Sequence, residues 1–127
     1  MPNGEPFTNE GIRDIARAAT TASSETGLHF SVYIGGVHGE IRSAAEKLHA
    51  ALGPLAKVGV LLVISPGDRQ LEIVTGEESA RRLTDRACAL AALSMTTSFA
   101  GGDIVGGIVT GVRMLSEAAG RRLSVSR

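Results

Sequence analysis

A chain of 127 residues with 13 basic and 13 acidic side chains is long enough for one compact core and too short for two, and it carries no net field to attract nucleic acid or anionic lipid. Aromatic residues make up 3% and tryptophan is absent, which removes the stacking platforms of single-strand nucleic-acid binders and leaves an aliphatic, alanine-rich core. The single cysteine, Cys88, excludes an internal disulfide and a thiolate metal cluster within the chain, and its apolar surroundings mark it as a small buried residue rather than a reactive one.

The amino-terminal MPNGEPFTNE has neither a basic n-region nor an apolar h-region, and no stretch approaches the roughly 20 apolar residues of a membrane span. The expected location is cytoplasmic, unless a leader has been removed. Thr8 or Asn9 caps a first helix, with Ile12, Ile15, Ala16 and Ala19 on one face, and Gly27 ends it. His29 to Ile34 alternates Phe30, Val32 and Ile34 against His29, Ser31 and Tyr33 as a strand does, and runs into the glycine-rich Gly35 to Gly39. A second helix carries Ile41, Ala44, Ala45, Leu48, Leu52 and Leu55 on one stripe, broken by Gly53-Pro54.

Val58 to Ile64 is an unbroken apolar run, the mark of a fully buried strand. With the first strand and the second helix it forms a parallel strand-helix-strand unit with a right-handed crossover. Pro66-Gly67-Asp68 reverses the chain, so the Gln70 to Thr75 strand is antiparallel and the sheet is mixed. Ser79 to Ser98 reads as a third helix, expected to be the most buried, with Asp85 two turns into it. Gly101-Gly102-Asp103 interrupts, and Ile104, Ile108, Val112, Leu115 and Ala119 mark a fourth. Gly107 and Gly111 allow it close packing. The fold class is α/β: a single domain, residues 1–127, in which a small mixed sheet packs between about four helices, with an ordered core of about 8–120 and a frayed polar tail at 121–127.

Chain direction places the Gly35 to Gly39 loop, the Pro66 to Asp68 turn and the Gly101 to Asp103 exit at the carboxyl end of the parallel strands, where open α/β sheets bind ligands. Asp68 and Asp103 are expected to converge there, within about 10 Å, where carboxylates, carbonyls and water suit calcium or magnesium. The plainer reading makes Asp68 a turn residue and Asp103 a helix N-cap. Asp85 is expected lower down. Gly35 to Gly39 lacks the GxxxxGK[ST] pattern, Ser65 lacks a GxSxG elbow, and His29, His38 and His49 have no metal-ligand spacing. His38 alone lies near the ligand end and is the one histidine to consider for acid-base work. Arg81, Arg82 and Arg86 suit either an acidic partner or a solvated face paired with Glu77, Glu78 and Asp85.

The hairpin VGVLLVISPGDRQLEIVTG, the helix stretch RRLTDRA and the SFAGGDIVGGIVTGVRML entry to the last helix, with HFSVYIGG as first strand, resemble the TPM domain, a small bacterial and thylakoid α/β module. FSVYIGG, VTGEES and GDIVGGIVTGVRML are closer to a short actinobacterial branch of unknown function. The resemblance implies a mixed sheet between helices and makes Asp68, Asp85 and Asp103 the acidic metal-site positions. Relatives include acid phosphatases, calcium binders, and assembly or repair factors of membrane complexes, commonly exported and anchored. No such anchor is visible here.

The leading expectation is therefore a non-catalytic binding or assembly module with the carboxyl-end loops as its recognition surface, an unknown protein partner and no nucleic acid. The alternative is a divalent-cation-dependent phosphomonoesterase, with Asp68 and Asp103 on the metal and His38 or Asp85 assisting proton transfer. Exposed sheet edges and flat alanine-glycine helices also allow a homodimer.

Overall fold

The computed structural model describes residues 7–121; the tail expected to fray lies, from residue 122 on, outside them. Helix α1 spans Asn9–Thr26. Thr8 caps it by accepting from the Gly11 N–H at 3.0 Å, and Gly27 closes it in the left-handed region at φ 80°. Strand β1, His29–Ile34, follows, then α2, Ile41–Ala50. The break expected at Gly53-Pro54 is observed: α2 ends at Ala50, and Gly53 (φ 62°) turns the chain into a short 3-10 segment, Gly53–Val58, which accepts Pro54 at its start and takes Leu55 off the α2 stripe.

Strand β2, Gly59–Ser65, is buried along its whole length, and β3, Gln70–Thr75, returns beside it. β1 and β2 are parallel, with Phe30 opposite Val60 and Ile34 opposite Ile64. β2 and β3 are antiparallel, with Val60 opposite Thr75 and Ser65 opposite Gln70. The order is β1-β2-β3, the mixed sheet that the hydrophobic patterning implies.

The third helix departs from expectation. It divides into α3, Ser79–Arg82, and α4, Asp85–Ala100. Leu83 is extended, at φ −126° and ψ 103°, and buried, while Thr84 caps the restart by accepting from the Ala87 N–H at 3.1 Å. The Thr84 cap, with Asp85 favourably placed in the first turn of α4, thus outcompetes helix continuity through a charged stretch. Helix α5, Ile104–Ala119, ends the described fold.

Side-chain alternation along the sheet feeds two cores. Phe30, Val60, Leu62, Ile64 and Ile73 face α1, α4 and α5; Leu61, Val63 and Val74 face α2 through Ala45. The most buried helix is α5, not α4, because α5 lies between α1 and α4. Its glycines permit this: a Cβ on Gly107 would stand 2.8 Å from Ser98 Cβ, and one on Gly111 2.6 Å from Met95 Cγ. α4 flanks the layer and buries only Ala91 and Met95, leaving Leu90 and Leu93 47% and 63% exposed. Among the described residues no helix is long and apolar enough to cross a membrane.

Candidate functional site

Three loops meet solvent at the end of the sheet where β1 and β2 finish. The first, Gly35 to Glu40, is tied by the Tyr33 hydroxyl, which donates to the Gly36 carbonyl at 3.0 Å; His38 in it is exposed. The second is the Pro66–Asp68 3-10 turn between β2 and β3. Ser65 is buried, and its hydroxyl donates to Asp68 Oδ2 at 2.9 Å. That bond ties the hydroxyl to the turn carboxylate and defines the tip.

Arg69 completes the tip with φ 55° and ψ 42°, the one non-glycine residue at positive φ among the described residues. A Cβ in the left-handed region crowds the backbone, so glycine or asparagine would fill this position more easily. The arginine side chain is exposed.

The third loop is Gly101 to Asp103, between α4 and α5. Asp103 Oδ1 accepts from the Gly106 N–H at 2.9 Å, the N-cap arrangement. A Cβ at Gly106 would displace the Asp103 carboxylate from this position. β3 descends to the far end of the sheet, where the Ser79 hydroxyl donates to the Gly59 carbonyl at 2.7 Å. α4 then climbs back, which returns Asp103 to the end bearing Asp68.

Asp85 requires a correction. It was expected two turns into a long helix, and instead opens α4 at the far end of the sheet. The 16 residues of α4 separate it from Asp103 by about 24 Å at 1.5 Å per residue. One ion cannot bridge that span. Among the described residues no group of three or more His, Cys, Asp or Glu side chains gathers to hold a metal. Asp68 and Asp103 each retain one carboxylate oxygen outside their local hydrogen bonds.

Cys88 is half-buried rather than buried. Burial pushes its thiol up, the Asp85 carboxylate adds to that, and the Arg42 guanidinium opposes it, so the reactive thiolate is suppressed. Of the arginines on α3 and α4, Arg82 is structural: its Nη2 donates to the Gly120 carbonyl at 2.7 Å and closes the end of α5.

Two concave surfaces escaped the sequence reading. A groove of about 670 Å³ runs between α1 and α5, lined by Asp14, Arg17, Glu25, Arg113 and Glu117 over Ala18 and Ala22. The Asp14–Arg17 and Arg113–Glu117 spacings signal two charged helix faces, but not that they share a groove. A second, apolar trough of about 300 Å³ lies between α1 and β1.

The family described as "Domain of unknown function (DUF5130)" matches residues 1–116. Two uncharacterized Mycobacterium tuberculosis proteins, MT2543 of strain CDC 1551 / Oshkosh and Rv2468c of strain H37Rv, are each 27% identical over 113 residues, or 87% of this chain. The chain spans 66% of the length of these relatives. The fold is shared with the solution structure of BA42 from Bizionia argentinensis, at TM-score 0.80 and 18% identity over 92% of this chain and 83% of that one. It is also shared with the N-terminal domain of a P. gingivalis protein, at TM-score 0.77 and 18% identity over 88% and 75%. The N-terminal domain of cg2496 from Corynebacterium glutamicum matches at TM-score 0.73 and 13% identity over 95% and 82%. At these identities the likeness is one of fold alone.

Proposed function

The chain belongs to the DUF5130 family, and from that premise we propose that it is a non-catalytic binding and assembly module of TPM type, with the carboxyl-end loops as its recognition surface. The observation that carries this reading is Arg69. A long charged side chain is retained at the hairpin tip in a backbone conformation that a glycine would take without steric cost. Strain kept at an exposed tip points to a use for the side chain. Asp68 beside it and Asp103 on the third loop offer acceptors at the same end for calcium or magnesium completed by water. The exposed Leu90 and Leu93 add support, because no charged residue occurs between Ala87 and Gly102, and an outer helix face in water is normally charged.

Purified protein with p-nitrophenyl phosphate and added calcium, magnesium or manganese separates this reading from the phosphomonoesterase built on Asp68, Asp103 and His38. The expected rate equals that of buffer. A metal-dependent rate that disappears in both Asp68→Asn and Asp103→Asn would overturn it. The cation itself is tested by melting: a site of this kind stabilises the fold by about 2.7 kcal/mol at a hundredfold excess over Kd, and no shift in millimolar calcium or magnesium would remove it.

A further inference from the structure

The sheet ends at β1, and its outer edge is only half covered. The Gly35 N–H donates to the Ile64 carbonyl at 3.0 Å, toward β2. Backbone groups of successive strand residues alternate between the two edges, so Ser31 and Tyr33 also point at β2, while Phe30, Val32 and Ile34 turn their N–H and C=O outward. Ser23 Oγ meets the outward Phe30 N–H at 2.9 Å. For Val32 and Ile34, no group among the described residues supplies a partner on that side. On the opposite edge one outward group is occupied by a charged side chain: the Ile73 carbonyl accepts from Arg42 Nη1 at 3.3 Å, and Arg42 also lies 3.8 Å from the Glu72 carboxylate. Side chains that occupy outward backbone groups are a common protection of edge strands. The upper half of β1 has none.

Above this open half the helix layer overhangs. Packed helices lie about 8–10 Å apart and strands about 4.8 Å apart, so α1, α5 and α4 side by side are roughly twice as wide as three strands. The reach of Ser23 to the outward Phe30 N–H places α1 beyond the edge. The overhang is apolar: Ile12, 49% exposed, with Ile15, Ala16 and Ala19 roofs a trough walled by Val32 and Ile34, and none of these six residues is charged.

We propose that an extended segment of a partner protein, with branched aliphatic side chains at alternating positions, adds to β1 at Val32–Ile34 as a fourth strand beneath α1. Its backbone takes up the outward donors and acceptors, and its inward side chains fill the trough, the mode of recognition in which hydrogen bonds give affinity and alternate pockets give specificity. A second copy fits poorly. Two-fold pairing would set the two β1 strands about 4.8 Å apart and drive both overhanging α1 helices into the same space, where packed helices need 8–10 Å. The site is distinct from the carboxyl-end loops, so either can fail alone.

The test titrates the capped peptide acetyl-KTVTVTVTK-amide into isotope-labelled protein and follows the backbone amides. The Val32 and Ile34 amides should shift and exchange at least tenfold more slowly at saturation, while acetyl-KTDTDTDTK-amide leaves them unchanged. Val32→Pro removes an outward donor where an edge strand tolerates proline, and should weaken binding at least tenfold. Ile12→Asp should do the same from an exposed helix position, and carries the test if the proline variant does not fold. No change at Val32 and Ile34 at millimolar peptide, or equal binding of the aspartate peptide, overturns the proposal. So does a peptide-free dimer in light scattering that Ile12→Asp dissolves, which would assign the edge to a second copy. Slow exchange at Val32 in the free monomer would assign it to the chain itself.

Discussion

Ser79→Ala should cost this fold more than its single lost oxygen suggests. Ser79 is fully buried at the far end of the sheet, where its hydroxyl accepts from the Gly76 N–H at 2.7 Å and donates to the Gly59 carbonyl at 2.7 Å. It clamps the exit of β3 to the start of β2 and fixes where α3 begins. Each such bond contributes about 0.5–1.5 kcal/mol net, and a buried group left without a partner costs about 1–3 kcal/mol. The Gly76 N–H keeps a longer contact, 3.2 Å, to the Gly59 carbonyl, which limits the second penalty. The loss should be about 2–3 kcal/mol, or roughly 10 °C in Tm for a domain of this size. Urea unfolding followed by circular dichroism measures it, with the exposed Ser24→Ala as a control expected within about 0.5 kcal/mol of the parent. A loss below about 0.5 kcal/mol for Ser79→Ala, with unchanged m-value, would refute the clamp.

Gly76→Ala should prevent stable folding, because its Cβ would collide with the Ala56 carbonyl and come 2.7 Å from the Lys57 carbonyl oxygen, both fixed backbone. Gly111→Ala meets the flexible Met95 side chain instead and should cost about 1–3 kcal/mol; the reverse ranking in denaturant melts would contradict the packing described. Arg69→Gly should stabilise the fold by about 0.5–1 kcal/mol by relieving the left-handed turn, and a loss in the same melts would show that the arginine side chain outweighs the backbone strain. Cys88 should alkylate with iodoacetamide at pH 8 several-fold more slowly than free cysteine, since burial and Asp85 raise its thiol and thiolate forms only at higher pH. Asp85→Asn should speed the reaction and Arg42→Gln should slow it, and the opposite order would exclude these charges as the cause.

Periodicity carried most of the architecture. The seven-residue buried run of β2 and the alternation in β1 and β3 are local signals with one structural solution each, and their register follows from the crossover and the short turn. The break at Leu83-Thr84 was half legible: Thr84 followed by Asp85 carries the signature of a helix start, but it competes with a continuous helix from Ser79 until the inward turn of Leu83 decides between them. The break sets Asp85 at the start of α4, and it is the resemblance, not chain direction, that groups it with Asp68 and Asp103. The caps at Thr8 and Asp103 are side-chain chemistry acting over three residues, and were readable. The α1–α5 groove and the open half of β1 depend on how layers of unequal width sit on one another. No window of sequence contains that information.

Amide hydrogen exchange along β1 in the free protein tests the open edge most directly. Ser31 and Tyr33 should be protected by β2 and Phe30 by Ser23, while Val32 and Ile34 exchange within the dead time of the experiment. Uniform protection from Phe30 to Ile34 would contradict the open edge.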